Sequence, residues 1–112
     1  MRKFYHKKLI RDKIPELIEA NKGKYEVRVM DDDEFKRELK RKLIEEAKEV
    51  KGAKRSELLK ELADVLELIK SIVESEDISF EVIEKKQKQR RKERGGFKKQ
   101  LFLIWSDRPA GK

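Results

Sequence analysis

The apolar positions of this chain change period along its length, and the changes mark its elements. RDKIPELIEAN predicts a short helix, with Pro15 in the first turn, Asp12 as its cap, and Asn21 and Gly23 ending it. In KYEVRVM, Tyr25, Val27 and Val29 alternate with charged neighbours, a period of two that predicts a strand. Asp31, Asp32 and Asp33 then suit the positive end of a helix dipole. From Glu34 to about Lys51 the spacing becomes helical through Phe35, Leu39, Leu43, Ala47 and Val50, and Gly52 closes the run. Ser56 is placed to cap a second long helix, which carries Leu58, Leu59, Leu62, Val65, Leu66, Ile69, Ile72 and Val73 to about Ser75. A third long helix runs from near Ser79 to Arg94, where Gly95 and Gly96 stop it. FKKQLFLIW reads as a final strand, the one partner on offer for residues 24–30, and residues 106–112 read as a flexible tail.

These elements predict a mainly α chain forming one domain over residues 1–112. The connection at about residues 52–55 is short, so the two helices it joins should pack antiparallel. The apolar face of residues 58–73 spans roughly half the helix circumference, more than one neighbour covers. The expected architecture is therefore an antiparallel helical bundle completed by oligomerisation, with a small two-stranded β element. A homodimer or a higher even-numbered assembly would supply the missing face.

Carboxylates interrupt the apolar stripes. At about 100° per residue, Glu46 falls between Phe35 and Leu39 on the helical wheel, and Glu61 falls between Leu68 and Ile72. Glu49 and Asp64 lie at the stripe edges. Folding the chain at residues 52–55 sets Glu46 opposite Glu61, with Glu49 and Asp64 one turn to either side. Like charges gathered in a partly desolvated place repel. A hard cation such as Mg²⁺ offsets that repulsion, because it takes oxygen ligands from carboxylates, waters and phosphates. Ion pairs with the many Lys and Arg on a solvated face are the plain alternative. Along the third helix Phe80 and Ile83 begin a face that Gln87, Arg90 and Arg94 continue at spacings of three and four. Packed antiparallel on the previous helix, it would bring Arg90 and Arg94 level with Asp64 and Glu61. Acids beside arginines suit a di- or triphosphate bridged to a metal, and Gly95 and Gly96 would let backbone amides approach it.

Composition narrows the classes. The formal charge is +8 and the isoelectric point near 9.6, so anionic partners are favoured. Most of the excess lies in residues 85–99, while acids concentrate in residues 31–84. There is no cysteine and a single histidine, His6, which excludes thiolate and multi-histidine metal sites. No apolar run approaches the roughly 18 residues of a membrane span, and MRKFYHKKLI lacks a long apolar leader. A cytoplasmic protein without membrane partners is the expectation.

Glu46-Ala-Lys-Glu49 followed by Glu61-Leu-Ala-Asp64 resembles the ExxE…ExxD signature of the all-α nucleoside triphosphate pyrophosphohydrolases, often called MazG-like. HKKLIRDKIPELIE and KERGGFKK resemble a short-chain house-cleaning branch of that superfamily, so the likeness spans nearly the whole chain. The resemblance implies cleavage between the α- and β-phosphates of a nucleotide, giving a monophosphate and pyrophosphate. It implies Glu46, Glu49, Glu61 and Asp64 as ligands of Mg²⁺, with Mn²⁺ as a substitute, and Glu45 and Glu46 as the catalytic pair, Glu45 orienting or activating water. Arg90 and Arg94 are candidates for phosphate contacts, followed by Lys8, Arg11 and Lys13.

Phosphoribosyl-ATP pyrophosphohydrolase activity is the alternative within the enzyme class. A small basic nucleic-acid-binding protein is the alternative outside it, with RRKERGGFKK supplying cations and one aromatic ring. That reading leaves the inward Glu46 and Glu61 unexplained, so no specific nucleic-acid partner is expected. A purely structural helical partner explains the stripes but not Arg90 and Arg94.

Overall fold

The computed structural model describes residues 2–111; Met1 and Lys112, the outer ends of the expected domain and tail, lie outside the described residues. The chain is mainly helical: α1 is Ile14–Ala20, α2 Asp32–Gly52, α3 Arg55–Ser75 and α4 Phe80–Arg94. None of these helices is long and apolar enough to cross a membrane.

The expected two-stranded element is not formed. Among the described residues there is no strand, and both 24–30 and 97–105 are irregular or turn. Alternation is a propensity, whereas a strand exists only when its N–H and C=O groups meet a partner, and an isolated two-stranded ribbon is marginal in water. Side chains on both segments are bare: Val29 and Phe97 are each 97% exposed.

The chain divides into two compact units, Met1–Phe80 and Glu81–Lys112. In the first, α1 starts one residue later than its sequence suggests. The cap position is Lys13 rather than Asp12, and no side chain bonds the open amides there. Ile14 N–H donates to the Arg11 carbonyl at 3.1 Å, so Asp12 and Lys13 are spent on the turn that precedes the helix. Its exit is a Schellman turn, in which Gly23 N–H donates to Ile18 O at 2.8 Å and Lys22 N–H to Glu19 O at 2.9 Å. Lys22 takes the left-handed position with φ +61°. Gly23 is needed for close approach, since a Cβ there would stand 2.7 Å from Ile18 Cγ2.

At the start of α2, Asp31 accepts from Glu34 N–H at 2.8 Å, a side-chain cap of the kind the triple aspartate suggests. Arg28 grips Glu34 through two parallel bonds of 2.7 Å each. The Arg28 guanidinium holds the Glu34 carboxyl below its ordinary value. Because folding lowers this pKa, the stability it adds is present above the ordinary value of 4.5 and lost as pH falls through the lowered one. Arg28→Ala should therefore lose less stability on acidification than the parent chain. Thermal melts between about pH 6 and about pH 3 check this, and equal acid slopes would contradict it.

Only Ala53 and Lys54 separate α2 from α3. The connection is tighter than expected, so the cap of α3 is Lys54 and Ser56 already lies inside the first turn. Two residues leave no option but an immediate reversal. Lys36 Nζ reaches Glu76 Oε2 at 3.6 Å at the open end, as antiparallel packing requires. The seam holds Leu39, Leu68 and Val73, the buried apolar residues among those described. Phe35, Leu43 and Val50 on α2 and Leu58, Val65, Ile69 and Ile72 on α3 are half-buried around them. Ala47, counted with the apolar stripe of α2, is exposed. Beyond α3, Lys70 Nζ sits 5.1 Å from the centre of the Phe80 ring.

The second unit carries α4 and the segment that follows it. Gly95 ends the helix with φ +84°, its N–H donating to Arg91 O at 2.8 Å. That amide closes the helix, so of the glycine pair Gly95 does not offer its N–H to an anion. Residues 97–100 form a turn closed by Gln100 N–H on Phe97 O at 3.1 Å.

Candidate metal centre

The hairpin geometry decides which acids meet. On α2, Glu46 lies two turns beyond Leu39 on the buried side and is itself half-buried. On α3, Glu61 and Asp64 are one turn apart and half-buried, two turns and one turn before Leu68. One carboxylate oxygen from each of Glu46, Glu61 and Asp64 lies within 4.8 Å of the others. Three acids on two helices thus converge at the loop-proximal part of the hairpin. The Glu61 side chain keeps only 13% of its accessible surface. Glu49 is exposed and does not join this group. It lies one turn nearer the loop.

Cations from two directions offset the repulsion. Arg11 donates through Nη2 to Asp64 Oδ1 at 2.8 Å. Lys60 Nζ stands 3.6 Å from Glu61 Oε1 and 4.0 Å from Asp64 Oδ2. Arg11 precedes α1 in an irregular segment, so no helical period could aim it. Its sequence signal is membership of KLIRDKIP, which suggests phosphate contact rather than an acid partner. Half of each cation's side chain or more is exposed, so these pairs are worth only about 0–1 kcal/mol each. Both could move aside for a cation without leaving a buried charge behind.

The remaining candidates lie outside the triad. Glu45 and Lys8 line one shallow crevice on α2 together with Leu9, Glu38, Arg41 and Lys42. Lys13 is exposed at the cap position of α1. Arg90 and Arg94 are exposed on α4, in the second unit.

The donor set is chemically selective in a limited sense. Three carboxylates without nitrogen or sulfur suit a hard divalent cation and do not suit zinc or copper sites built on imidazole or thiolate. Their partial burial raises the repulsion that such a cation would relieve. Comparison with protein-family models, curated proteins and solved structures gives no match to this chain.

Proposed function

We propose that the chain is a Mg²⁺-dependent nucleotide pyrophosphohydrolase, cleaving between the α- and β-phosphates to give a nucleoside monophosphate and pyrophosphate. The observation that carries the reading is the meeting of Glu46 with Glu61 and Asp64 across the α2–α3 hairpin. Surface acids scattered for solubility have no reason to converge on the half-buried seam of two helices. The MazG-like resemblance of the same two motifs supports it, and a house-cleaning role toward non-standard nucleotides follows from that resemblance.

In this reading Glu46, Glu61 and Asp64 would hold Mg²⁺, or Mn²⁺ in its place, with Glu49 reached by a side-chain rearrangement. When bound, the ion supplies Lewis-acid polarisation of the phosphate and a lowered water pKa. Glu45 and Glu46 would be the catalytic pair, Glu45 orienting or deprotonating the attacking water. Arg11 exchanges its bond to Asp64 for a substrate phosphate once the acids are neutralised. Lys8 and Lys13 are weaker candidates for phosphate contacts.

The outward side of α3 enters the same reading. Leu59, Leu62 and Leu66 are 82%, 47% and 44% exposed, spaced three and four apart on one face. A second copy of the chain covers that face in our reading, as a homodimer or higher even-numbered assembly.

A panel of nucleoside triphosphates with Mg²⁺, scored for pyrophosphate, is the direct test. Pyrophosphate release should persist at salt concentrations that abolish any duplex DNA binding, since phosphate-backbone affinity falls steeply with salt. Tight duplex binding at physiological salt with no pyrophosphate from any substrate would favour the nucleic-acid alternative instead.

A further inference from the structure

Arg11 reaches the acid triad from outside the α2–α3 hairpin, at the end of a short strap made by residues 8–11. Lys8 and Leu9 line a crevice with Glu38, Arg41, Lys42 and Glu45 of α2. Leu9 and Ile10 are half-buried, whereas residues 2–8 before them and 11–13 after them are exposed. Arg11 then donates through Nη2 to Asp64 Oδ1 on α3 at 2.8 Å. The strap is thus seated beside Glu45 by two apolar side chains and fastened at its far end to one acid of the triad.

We infer that Arg11 and a divalent cation compete for Asp64, so that binding the ion releases the strap and frees Arg11 for an anion. The order, cation first and phosphate second, rests on the metal reading proposed above. Charge supports it. Glu46, Glu61 and Asp64 carry three formal negative charges, and Arg11 and Lys60 bring two positive ones within 4.0 Å. A divalent ion added to that set leaves one surplus positive charge, whereas with Arg11 withdrawn the charges cancel. Distance selects Arg11 as the group that leaves. A hard cation draws its oxygen ligands to about 2.0–2.1 Å. A guanidinium hydrogen-bonded to Asp64 Oδ1 at 2.8 Å would then stand beside the ion as a like charge. Lys60 stands 3.6 Å from Glu61 and 4.0 Å from Asp64, beyond hydrogen-bond reach, on the helix that carries both acids. Arg11 lies in irregular chain, 53 positions before Asp64, where a small backbone movement withdraws it. Letting go costs little. The Arg11 side chain is 56% exposed, and an ion pair so placed shifts an equilibrium by about fivefold at most.

Arg11→Gln keeps a polar side chain at an exposed position, so the full-length variant should fold. Electron paramagnetic resonance of free Mn²⁺ gives the affinity of the parent and the variant, with Glu61→Gln as the background from other acids. Arg11→Gln should bind Mn²⁺ about two- to fivefold more tightly than the parent. A merely structural Arg11 would give the opposite, since loosening the hairpin would weaken binding. In the parent chain, Mg²⁺ should move the Leu9 and Ile10 methyl resonances toward those of an unpacked chain. An unchanged or weaker Mn²⁺ affinity in Arg11→Gln overturns the competition and leaves the metal reading standing. Tighter binding with the Leu9 and Ile10 methyls unmoved in the parent confines the effect to charge and overturns release of the strap. Mn²⁺ bound by the parent no better than by Glu61→Gln overturns the metal reading and the competition together.

Discussion

Glu61→Gln should abolish Mg²⁺-dependent pyrophosphate release while leaving the metal-free protein as stable as the parent, or more so. Two carboxylate oxygens within 4.8 Å of each other repel by at least about 0.9 kcal/mol even in bulk water. Glu61 faces two such neighbours. Against them stands the Lys60 contact of 3.6 Å, made by a side chain 70% exposed and worth about 0–1 kcal/mol. Two such repulsions match or exceed one exposed contact, so removing the charge should cost the metal-free protein little or nothing. In EDTA the variant should therefore melt at or above the parent temperature. Saturating Mg²⁺ should behave differently on the two proteins. At 100 times its dissociation constant a ligand adds about 2.7 kcal/mol, a shift of roughly 10 °C for a domain near this size. The parent should show that shift and the variant should not. Loss of activity should reach about 100-fold or more, since even residues behind metal ligands cost 10- to 100-fold. A variant that melts earlier in EDTA yet releases pyrophosphate at the parent rate would make Glu61 a structural ion-pair partner and refute the metal assignment.

Helical periodicity makes much of this site legible in the sequence itself. The wheel positions of Glu46 and Glu61 lie inside their apolar stripes, and both side chains are half-buried. Asp64, at the stripe edge, joins them because a two-residue connection fixes the hairpin register. The same tightness moves the cap of α3 from Ser56 to Lys54, as a spacing argument locates a helix better than it locates its ends. Arg11 shows what periodicity cannot reach. It lies in irregular chain, and its bond to Asp64 joins residues 53 positions apart. The strands fail for a related reason. Alternation in residues 24–30 is a property of the sequence, but a ladder is a property of two segments, and an isolated two-stranded ribbon is marginal in water.

The thinness of the hydrophobic seam sets up the second large effect, on stability. Leu39 is the most buried side chain among those described, at 3% exposure, with Leu68 at 7% and Val73 at 9%. Truncating a buried leucine to alanine removes transfer free energy and leaves a cavity, together about 2–5 kcal/mol. A domain of this length has only about 5–15 kcal/mol in total. Leu39→Ala should consequently lower the midpoint by roughly 10 °C or more, or leave the chain unfolded at 37 °C. The site makes this loss informative, since Leu39 lies two turns from Glu46 on the same face of α2. If the seam positions the acids, Mg²⁺ binding must oppose the unfolding of Leu39→Ala, because the folded hairpin alone brings Glu46 to Glu61 and Asp64. The midpoint of Leu39→Ala should then rise with Mg²⁺ concentration, whereas that of the Leu39→Ala, Glu61→Gln double variant should stay flat. Calorimetric melts over a Mg²⁺ series measure both. A Leu39→Ala midpoint within about 2 °C of the parent would show that the seam is not where this fold is held, and equal Mg²⁺ responses in the two variants would detach the ion from the hairpin acids.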